Sequence, residues 1–171
     1  MGEAAEYISP EIARVLAVAL PYHHRLIVEV AACTGLRISD ILQLQPEDIA
    51  EALTHRGWLR VLEQKTGKRR AVHLPAKLLR LLAGYCGEYW VFESPKDPRR
   101  HLTRQAVNKM LKQRSCRMKL RQQVSPHSYR KQYAVSLMRR THDLKRVQRE
   151  LGHEDAGTTA LYALSDQLTR K

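Results

Sequence analysis

The segment Thr34-Gly35-Leu36-Arg37-Ile38-Ser39-Asp40 separates two apolar stretches and predicts a sharp change in chain direction. Residues 22–34 repeat apolar side chains at the helical period, and Gly35 is the residue type that commonly ends a helix in the left-handed conformation. Ser39 is a candidate N-cap for the short apolar helix that follows. The sequence therefore places Arg37 in a tight connection between two packed helices.

Helical periodicity accounts for most of the remaining chain, because apolar residues recur every three or four positions between proline and glycine boundaries. Ser9-Pro10-Glu11 has the N-cap, the first-position proline and the first-turn acid of a helix start. The predicted helices begin at Pro10 and Tyr22, cover Ala76–Tyr85 and Thr103–Met118, open again at Ser125-Pro126, pass through Leu144, Val147 and Leu151, and end with a short helix after Gly157.

Two β-like runs interrupt this helical pattern. Trp58–Leu62 and Arg69–Leu74 flank Lys65-Thr66-Gly67-Lys68, and a glycine-containing loop between two such runs predicts a hairpin. Residues 93–100 contain two prolines and several cations, which predicts an exposed basic loop. The predicted fold class is therefore α+β, a mainly α-helical domain with a small antiparallel β-hairpin.

The charge balance points to a polyanionic partner. Among 171 residues, 30 are lysine or arginine and 17 are aspartate or glutamate, which gives a net charge of +13. This excess favours a nucleic-acid partner, although ribosomal proteins and membrane-surface proteins have a similar charge balance. A basic RNA-binding protein also stays open. The length fits one domain that buries roughly two-thirds of its unfolded surface. Charge alone does not indicate catalysis.

The three cysteines and the N-terminus bear on the cellular compartment. Cys33, Cys86 and Cys116 are odd in number and far apart, which favours reduced thiols in a cytosolic protein over a disulfide framework or a zinc site. Residues 1–10 lack the apolar core of an export signal, and no later apolar run approaches the roughly 20 residues that span a bilayer. We expect a cytoplasmic protein that is neither exported nor embedded in a membrane.

His127 and Arg130 are three residues apart, so on a helix they share one face and can point at one target. His127 also lies near the predicted helix N-terminus, where unpaired N–H groups favour an anion. The plain alternative is a capping histidine beside a surface arginine. Arg37 has a similar alternative as a solvated cation, but a guanidinium held between packed helices suits bidentate contact with phosphate.

A histidine and a tyrosine close the series of polar candidates. His153 follows Leu151-Gly152 at a predicted helix end, and Tyr162 lies a short distance downstream. A hydrogen bond from His153 to the last helical carbonyls is the plain alternative, and a tyrosine at such a place is usually packing material. A phenol beside cationic donors can, however, attack a phosphate.

The order and spacing of these residues resemble the catalytic domain of the tyrosine recombinases, the phage-integrase family of DNA strand-transfer enzymes. The resemblance extends from about Tyr7 to Leu164. The match lies in Thr-Gly-Leu-Arg-Ile-Ser-Asp, the hairpin lysine, His-x-x-Arg, Leu-Gly-His and the final tyrosine. Tyr129 and Lys131 depart from the leucine and histidine that are usual in this family around the second arginine.

The resemblance implies a role for each candidate. Tyr162 would be the nucleophile, and His127 would take its proton. The two arginines would bind the phosphoryl oxygens with help from His153, and Lys65 would protonate the leaving 5′ oxygen. Lys68 remains the alternative to Lys65, because the two lysines flank the same turn. The implied catalytic set is Arg37, Lys65, His127, Arg130, His153 and Tyr162.

The implied product is a 3′-phosphotyrosyl intermediate that a second DNA end resolves. The resemblance implies no cofactor, no ATP and no metal ion. The implied partners are double-stranded DNA and further copies of the chain on that DNA, with no membrane and no small-molecule substrate. The expected setting is the cytoplasm of a bacterium carrying a phage or other mobile element, with the protein on the nucleoid when it is bound to DNA.

We expect residues 1–171 to form a single catalytic domain, without the core-binding and arm-binding domains that are common in the family. A catalytic domain cut from a longer integrase and a naturally short relative both stay open. So does a second function class, a regulator with the same fold that binds DNA without cutting it. A topoisomerase or a hairpin telomere resolvase would use the same residues, and only the DNA product distinguishes them from a recombinase.

Overall fold

The computed structural model describes residues 6–152, in which helices surround an apolar core beside two small antiparallel sheets. His153 and Tyr162 lie outside the described residues, as does the helix predicted after Gly157. The elements in chain order are α1 Pro10–Ala19, α2 Tyr22–Thr34, α3 Ile38–Leu42, α4 Pro46–Thr54, β1 Trp58–Leu62, β2 Arg69–His73, α5 Ala76–Ala83, β3 Glu93–Ser94, β4 Asp97–His101, α6 Arg104–Arg117, α7 Pro126–Thr141 and α8 Leu144–Leu151.

Helix α2 is the central element, since it packs against α1, α3, α5, α7 and β2. Its predicted apolar stripe is buried, and its side chains contribute to the main core. Gly35 ends the helix with φ of 63°, the left-handed conformation that the sequence predicts. Arg37 then lies in the connection to α3, as expected.

The predicted N-cap of α3 is wrong. Helix α3 begins at Ile38, so Ser39 is already inside the helix and Arg37 occupies the cap position. Arg37 has extended backbone angles, and no side chain caps this helix. The Ser39 hydroxyl instead lies 3.4 Å from Oδ1 of Asp40. The short connection leaves no residue between Arg37 and the first helical turn.

The first hairpin is confirmed. Strand β1 pairs antiparallel with β2, with Trp58 opposite His73 and Leu62 opposite Arg69. Alternate residues of β1 face the core, so Leu59 and Val61 are buried while their neighbours are exposed. The next inward position is Glu63, a carboxylate that is only 2% exposed.

The predicted loop at residues 93–100 is wrong, because this region contains a second small hairpin. Strand β3 pairs with β4, in the register that joins Glu93 to His101. Pro98 lies within β4, where a two-stranded ribbon can accept a residue that lacks an N–H donor. Most of the hairpin is nonetheless exposed, as the sequence indicates.

Helix α4 is absent from the predicted elements. Pro46 occupies its first turn, acidic residues follow, and Gln45 forms a capping box with Asp48. The helix buries Ile49 and Ala52 and packs against β1 and α5, which supports the first hairpin from one side.

Helix α7 packs against α2 and α6 on one side and against α8 on another. Ser125 occupies the N-cap position of α7, in agreement with the predicted helix start at Ser125-Pro126, and Tyr129 is 1% exposed within the main core. Gly152 ends α8 in the left-handed conformation. A second, smaller apolar cluster joins the two helices, and its buried members are Ala134, Leu137, Val147 and Leu151.

Two further findings concern the state of the three cysteines and the length of the apolar helices. Cys33, Cys86 and Cys116 are all free thiols. No helix within residues 6–152 is long and apolar enough to cross a membrane. The predicted fold class, mainly helical with a small antiparallel hairpin, agrees with the structure, which adds a second hairpin to it.

Candidate active site

Arg130 is buried, with only 3% of its surface exposed. It projects from the second turn of α7 and donates hydrogen bonds to the main-chain oxygens of Gly35 and Leu151. These two oxygens belong to the ends of α2 and α8, where helical carbonyls lack partners within their own helix. The alternative of a solvated surface arginine is therefore excluded for this residue.

Arg37 approaches the same helix end from the other side. Its Nη2 lies 3.3 Å from the main-chain oxygen of Gly152, and its Nη1 lies 2.9 Å from Oε2 of Glu63. Only 16% of the Arg37 side chain is exposed. Arg37 and Arg130 thus converge on the C-terminal end of α8, directly before His153.

Glu63 is the acceptor for two arginines and a threonine. Its Oε2 receives hydrogen bonds from Arg37 and from Oγ1 of Thr66, both at 2.9 Å, and its Oε1 pairs with Nη1 of Arg70 at 3.3 Å. Burial raises the pKa of the Glu63 carboxyl, but these hydrogen bonds and the charge of Arg37 outweigh that effect and hold the pKa below its ordinary value. Glu63 is therefore ionised at neutral pH.

A second buried carboxylate supports the start of the hairpin turn. Asp40 is 2% exposed, and its Oδ1 accepts a hydrogen bond of 3.1 Å from the main-chain N–H of Gln64. Burial raises the pKa of Asp40, while this hydrogen bond and the charge of Arg37 act in the opposite direction. Asp40 lies three residues after Arg37, so one short segment carries both a candidate phosphate ligand and a support for the turn.

Lys65 lies at this turn, where it is exposed to solvent. Thr66, its neighbour, is tied to Glu63, whereas Lys68 lies on the far side of Gly67, at the base of β2. Both lysines are exposed, so the interpretation of Lys65 as the general acid stays a prediction with Lys68 as its alternative.

His127 lies in the first turn of α7, where part of its surface is open to solvent and part is covered by the protein. Loss of water around the ring lowers the pKa of His127, and the positive charges of Arg130, Lys131 and Arg37 lower it further. The imidazole is therefore neutral at pH 7 and can accept a proton. His127 lies three residues before Arg130 on α7, so the two residues share one face of the helix.

A sequence profile described as the phage integrase family matches residues 8–168 of this chain. The chain belongs to that family. The matched segment includes all six predicted site residues, from Arg37 to Tyr162, and their roles stay predictions.

Individual phage integrase family members show the extent of the likeness. The Sinorhizobium fredii protein y4qK, which carries the name integrase/recombinase, is 35% identical over 161 residues, or 91% of this chain and 51% of that protein. The tyrosine recombinase XerD of Staphylococcus saprophyticus is 30% identical over 150 residues, or 82% of this chain and 50% of XerD. The chain thus spans about half the length of these curated relatives.

The fold is also found in a solved structure of a lambda integrase fragment, which was crystallised as a dimer bound to a COC′ core site. The TM-score is 0.77 at 20% sequence identity, and the match covers 100% of this chain and 63% of the fragment. At this identity the comparison establishes the fold. The predicted fold class, a mainly helical integrase-type catalytic domain, is confirmed.

Of the six predicted site residues, the structure brings Arg37 and Arg130 together at the end of α8, and it places His127 one helical turn before Arg130 on α7. It places Lys65 on the neighbouring turn. His153 and Tyr162 lie outside the described residues, and the position of Gly152 shows only where the chain enters that segment.

Sequence reasoning missed two residues of the site. Glu63 pairs with Arg37, and Arg70 pairs with Glu63. One signal is available in the strand pattern. Leu59 and Val61 alternate inward along β1, so the next inward position falls on a glutamate. A carboxylate on an inward face requires a cationic or hydrogen-bonding partner. Arg37 and Arg70 provide it.

Proposed function

We propose that this chain is the catalytic domain of a site-specific DNA recombinase, an enzyme that breaks and rejoins DNA strands through a 3′-phosphotyrosyl intermediate. The observation that carries the proposal is the convergence of Arg37 and Arg130 on the end of α8, immediately before His153. Family membership supports it, and the two relatives named above are an integrase/recombinase and a tyrosine recombinase.

In the cleavage step, the phenolic oxygen of Tyr162 attacks the scissile phosphorus while the bond from phosphorus to the 5′ oxygen breaks. A free phenol has a pKa of about 10, so its ionisation at neutral pH costs about 4 kcal/mol. Arg37 and Arg130 offset this cost by binding the non-bridging oxygens, where negative charge increases in the transition state. His153 donates a further hydrogen bond.

Two proton transfers complete the step. His127 takes the Tyr162 proton, a role that its lowered pKa favours because the ring is neutral before reaction. Lys65 gives a proton to the departing 5′ oxygen. The phosphodiester energy is retained in the phosphotyrosine, so a 5′ hydroxyl of a second strand can reverse the reaction on a new partner without ATP.

The proposed partners are double-stranded DNA and further copies of this chain. The net charge of +13 favours the first, and the lambda integrase dimer bound to its core site is a precedent for both in a protein of the same fold. The chemistry uses side chains alone, with no cofactor or metal ion. Such an enzyme acts in the cytoplasm of a cell that carries a phage or mobile element, on the nucleoid when it is bound to DNA.

Incubation with nicked DNA from the attachment site of the element, followed by denaturing electrophoresis, tests this function. Wild-type protein should form a covalent adduct in the presence of EDTA, and Tyr162→Phe should bind DNA equally well without forming it. An undiminished adduct in Tyr162→Phe would contradict the assignment of the nucleophile. DNA binding without any wild-type adduct would favour the non-cleaving regulator, and the DNA products separate recombinase from topoisomerase or telomere resolvase.

A further inference from the structure

Glu63 lies between two candidate catalytic residues. The proposed function assigns Arg37 to the phosphate oxygens and Lys65 to the leaving 5′ oxygen. One oxygen, Oε2, accepts hydrogen bonds from both Arg37 and Thr66, each at 2.9 Å. Thr66 directly follows Lys65 in the turn. A single buried carboxylate oxygen thus joins the arginine to the loop that carries the candidate general acid.

The main chain of Glu63 closes the same turn. Its N–H donates to the Lys68 oxygen at 3.0 Å, and its own carbonyl oxygen accepts from the Gly67 N–H at 2.8 Å. Main chain and side chain of one residue therefore fix both ends of the segment 64–68. Removing the carboxylate leaves the main-chain bonds in place. It removes Oε2, the atom through which Thr66 and Arg37 are linked.

The other carboxylate oxygen is held by a second arginine. Oε1 pairs with Arg70, whose Nη2 also donates to the Thr34 oxygen at 2.7 Å. A Cβ atom at Gly152 would lie 2.9 Å from this oxygen, so the end of α8 packs directly on the carboxylate. With 2% of its side chain exposed, Glu63 cannot turn away to solvent without breaking several of these contacts at once.

We propose that Glu63 is a positioning residue that couples Arg37 to the turn carrying Lys65, so that the phosphate-binding cation and the proton donor are set relative to each other. The inference rests on the proposed function for what the two cations do. Glu63 itself does not touch the DNA in this scheme. Its effect is to fix the separation of two groups that must reach the same phosphate, one at a non-bridging oxygen and one at the leaving oxygen.

The test compares Glu63→Gln with Glu51→Gln, a matched control at an exposed carboxylate that pairs with Arg60 at 3.4 Å. The amide of Glu63→Gln keeps the shape but loses the charge, and it presents an N–H₂ group to one of its donors. Adduct formation should fall by about 10- to 100-fold with DNA affinity unchanged, because small errors in the position of catalytic groups carry losses of this order. Glu51→Gln should match wild type.

Two substrates distinguish coupling from a general loss of structure. Sulfur in place of the bridging 5′ oxygen leaves without a proton, so it recovers only the part of a defect that arises from the general acid. On this substrate, the loss in the rate of adduct formation of Glu63→Gln relative to wild type should be at least about fivefold smaller than on the ordinary substrate. The loss that remains should come from the misplaced Arg37. Thr66→Val removes the hydroxyl alone, so its deficit should be smaller and should disappear almost entirely with sulfur. Equal deficits on the two substrates for both variants would overturn the coupling.

Hydrogen exchange gives a readout that does not depend on catalysis. Amides of segment 63–68 should exchange faster in Glu63→Gln than in wild type or Glu51→Gln, while α2 keeps its protection. Unchanged exchange in this segment would overturn the inference. If wild type forms no adduct on either substrate, the proposed function fails, and the exchange rates still decide whether Glu63 positions the turn. If Glu63→Gln does not fold, Thr66→Val decides by the same measurements.

Discussion

The ring of Tyr133 lies against Gly35 so closely that a Cβ atom on the glycine would overlap Cδ1 of the tyrosine. The ring is itself anchored, since its hydroxyl donates a hydrogen bond of 2.6 Å to Glu150. Gly35 also has φ of 63°, so two independent constraints demand glycine at this position. The connection that carries Arg37 therefore depends on the contact between α2 and α7.

Replacement of Gly35 by alanine should lower the free energy of unfolding by about 2–4 kcal/mol, the sum of an unfavourable backbone conformation and an overpacked contact. Gly67→Ala is the matched control, because Gly67 has φ of 64° but a Cβ atom added there would meet nothing within 4 Å. That control should cost only about 1 kcal/mol. Urea unfolding measures both, and equal losses would show that the Tyr133 contact yields to the new methyl group.

Arg130→Lys should destabilise the protein by about 2–4 kcal/mol, because one ammonium group cannot satisfy the carbonyls of Gly35 and Leu151 as the planar guanidinium does. Arg140→Lys, an exposed change on the same helix, is the control and should be close to neutral. The midpoint temperature of thermal unfolding and the rate of adduct formation should both be lower for Arg130→Lys than for wild type. A fully stable Arg130→Lys protein would mean that these carbonyl contacts contribute little.

Stability should depend on pH through His24, which is 4% exposed in the first turn of α2. Burial lowers the pKa of His24 from 6.5 to about 4, and repulsion from His23 adds to the effect. The unfolded chain binds this proton below pH 6.5, whereas the folded chain resists it until about pH 4. The free energy of unfolding should therefore decrease by about 3 kcal/mol as the pH falls through this window.

Replacing His24 by leucine should remove that portion of the pH dependence, whatever its effect on stability at neutral pH. His55→Leu, at an exposed histidine, controls for the loss of a histidine as such. The measurement is urea unfolding from pH 7 to pH 4. Parallel profiles for wild type and His24→Leu would contradict the prediction.

Lys65→Ala should slow cleavage by about 10² to 10⁴ if the lysine is the general acid, and sulfur at the bridging 5′ position should largely restore the rate. Arg37→Ala should gain no such recovery, because it acts on the non-bridging oxygens. If Lys68→Ala shows the defect and the recovery instead, the mechanism stands with the other lysine. If neither lysine variant recovers, the proton comes from elsewhere.

DNA binding should weaken steeply with salt. If about 5 to 8 phosphates are neutralised, log affinity should fall against log salt concentration with a slope of about −5 to −7. Binding titrations at salt concentrations from about 50 mM to about 200 mM measure this slope, because counterion release changes the affinity strongly over that range. A flat dependence would point to a partner other than nucleic acid.

Where local signals agree, the sequence predicts this fold closely. The apolar period and the terminal glycine both end α2 at Thr34, and the structure agrees to the residue. The hairpin strands and the starts of α6 and α7 are equally well marked, by a glycine-containing turn and by N-cap residues.

The failures occur where tertiary contacts decide between local options. Ser39 has the chemistry of an N-cap, yet Arg37 is drawn towards Glu63 and Gly152, and the helix begins directly after it. The prolines near residue 95 indicate a loop, but short strands still pair there because the ribbon leaves one edge of each strand unpaired. Glu63 lies between the strands, and its two arginine partners are 26 residues before it and 7 after it.

The small cluster that joins α7 to α8 has a further consequence for the energetics of the site. Val147 and Leu151 are the buried residues with which α8 holds its place, whereas α2 is embedded in the main core. Among residues 6–152, α8 has only these two buried apolar residues, so it should open at a lower free energy than the main core. Each such opening withdraws the carbonyl oxygens of Leu151 and Gly152 from Arg130 and Arg37 together. Since the proposed function assigns phosphate binding to both arginines, one local equilibrium governs the two together, and stabilising α8 should increase the fraction of molecules in which both are held in place.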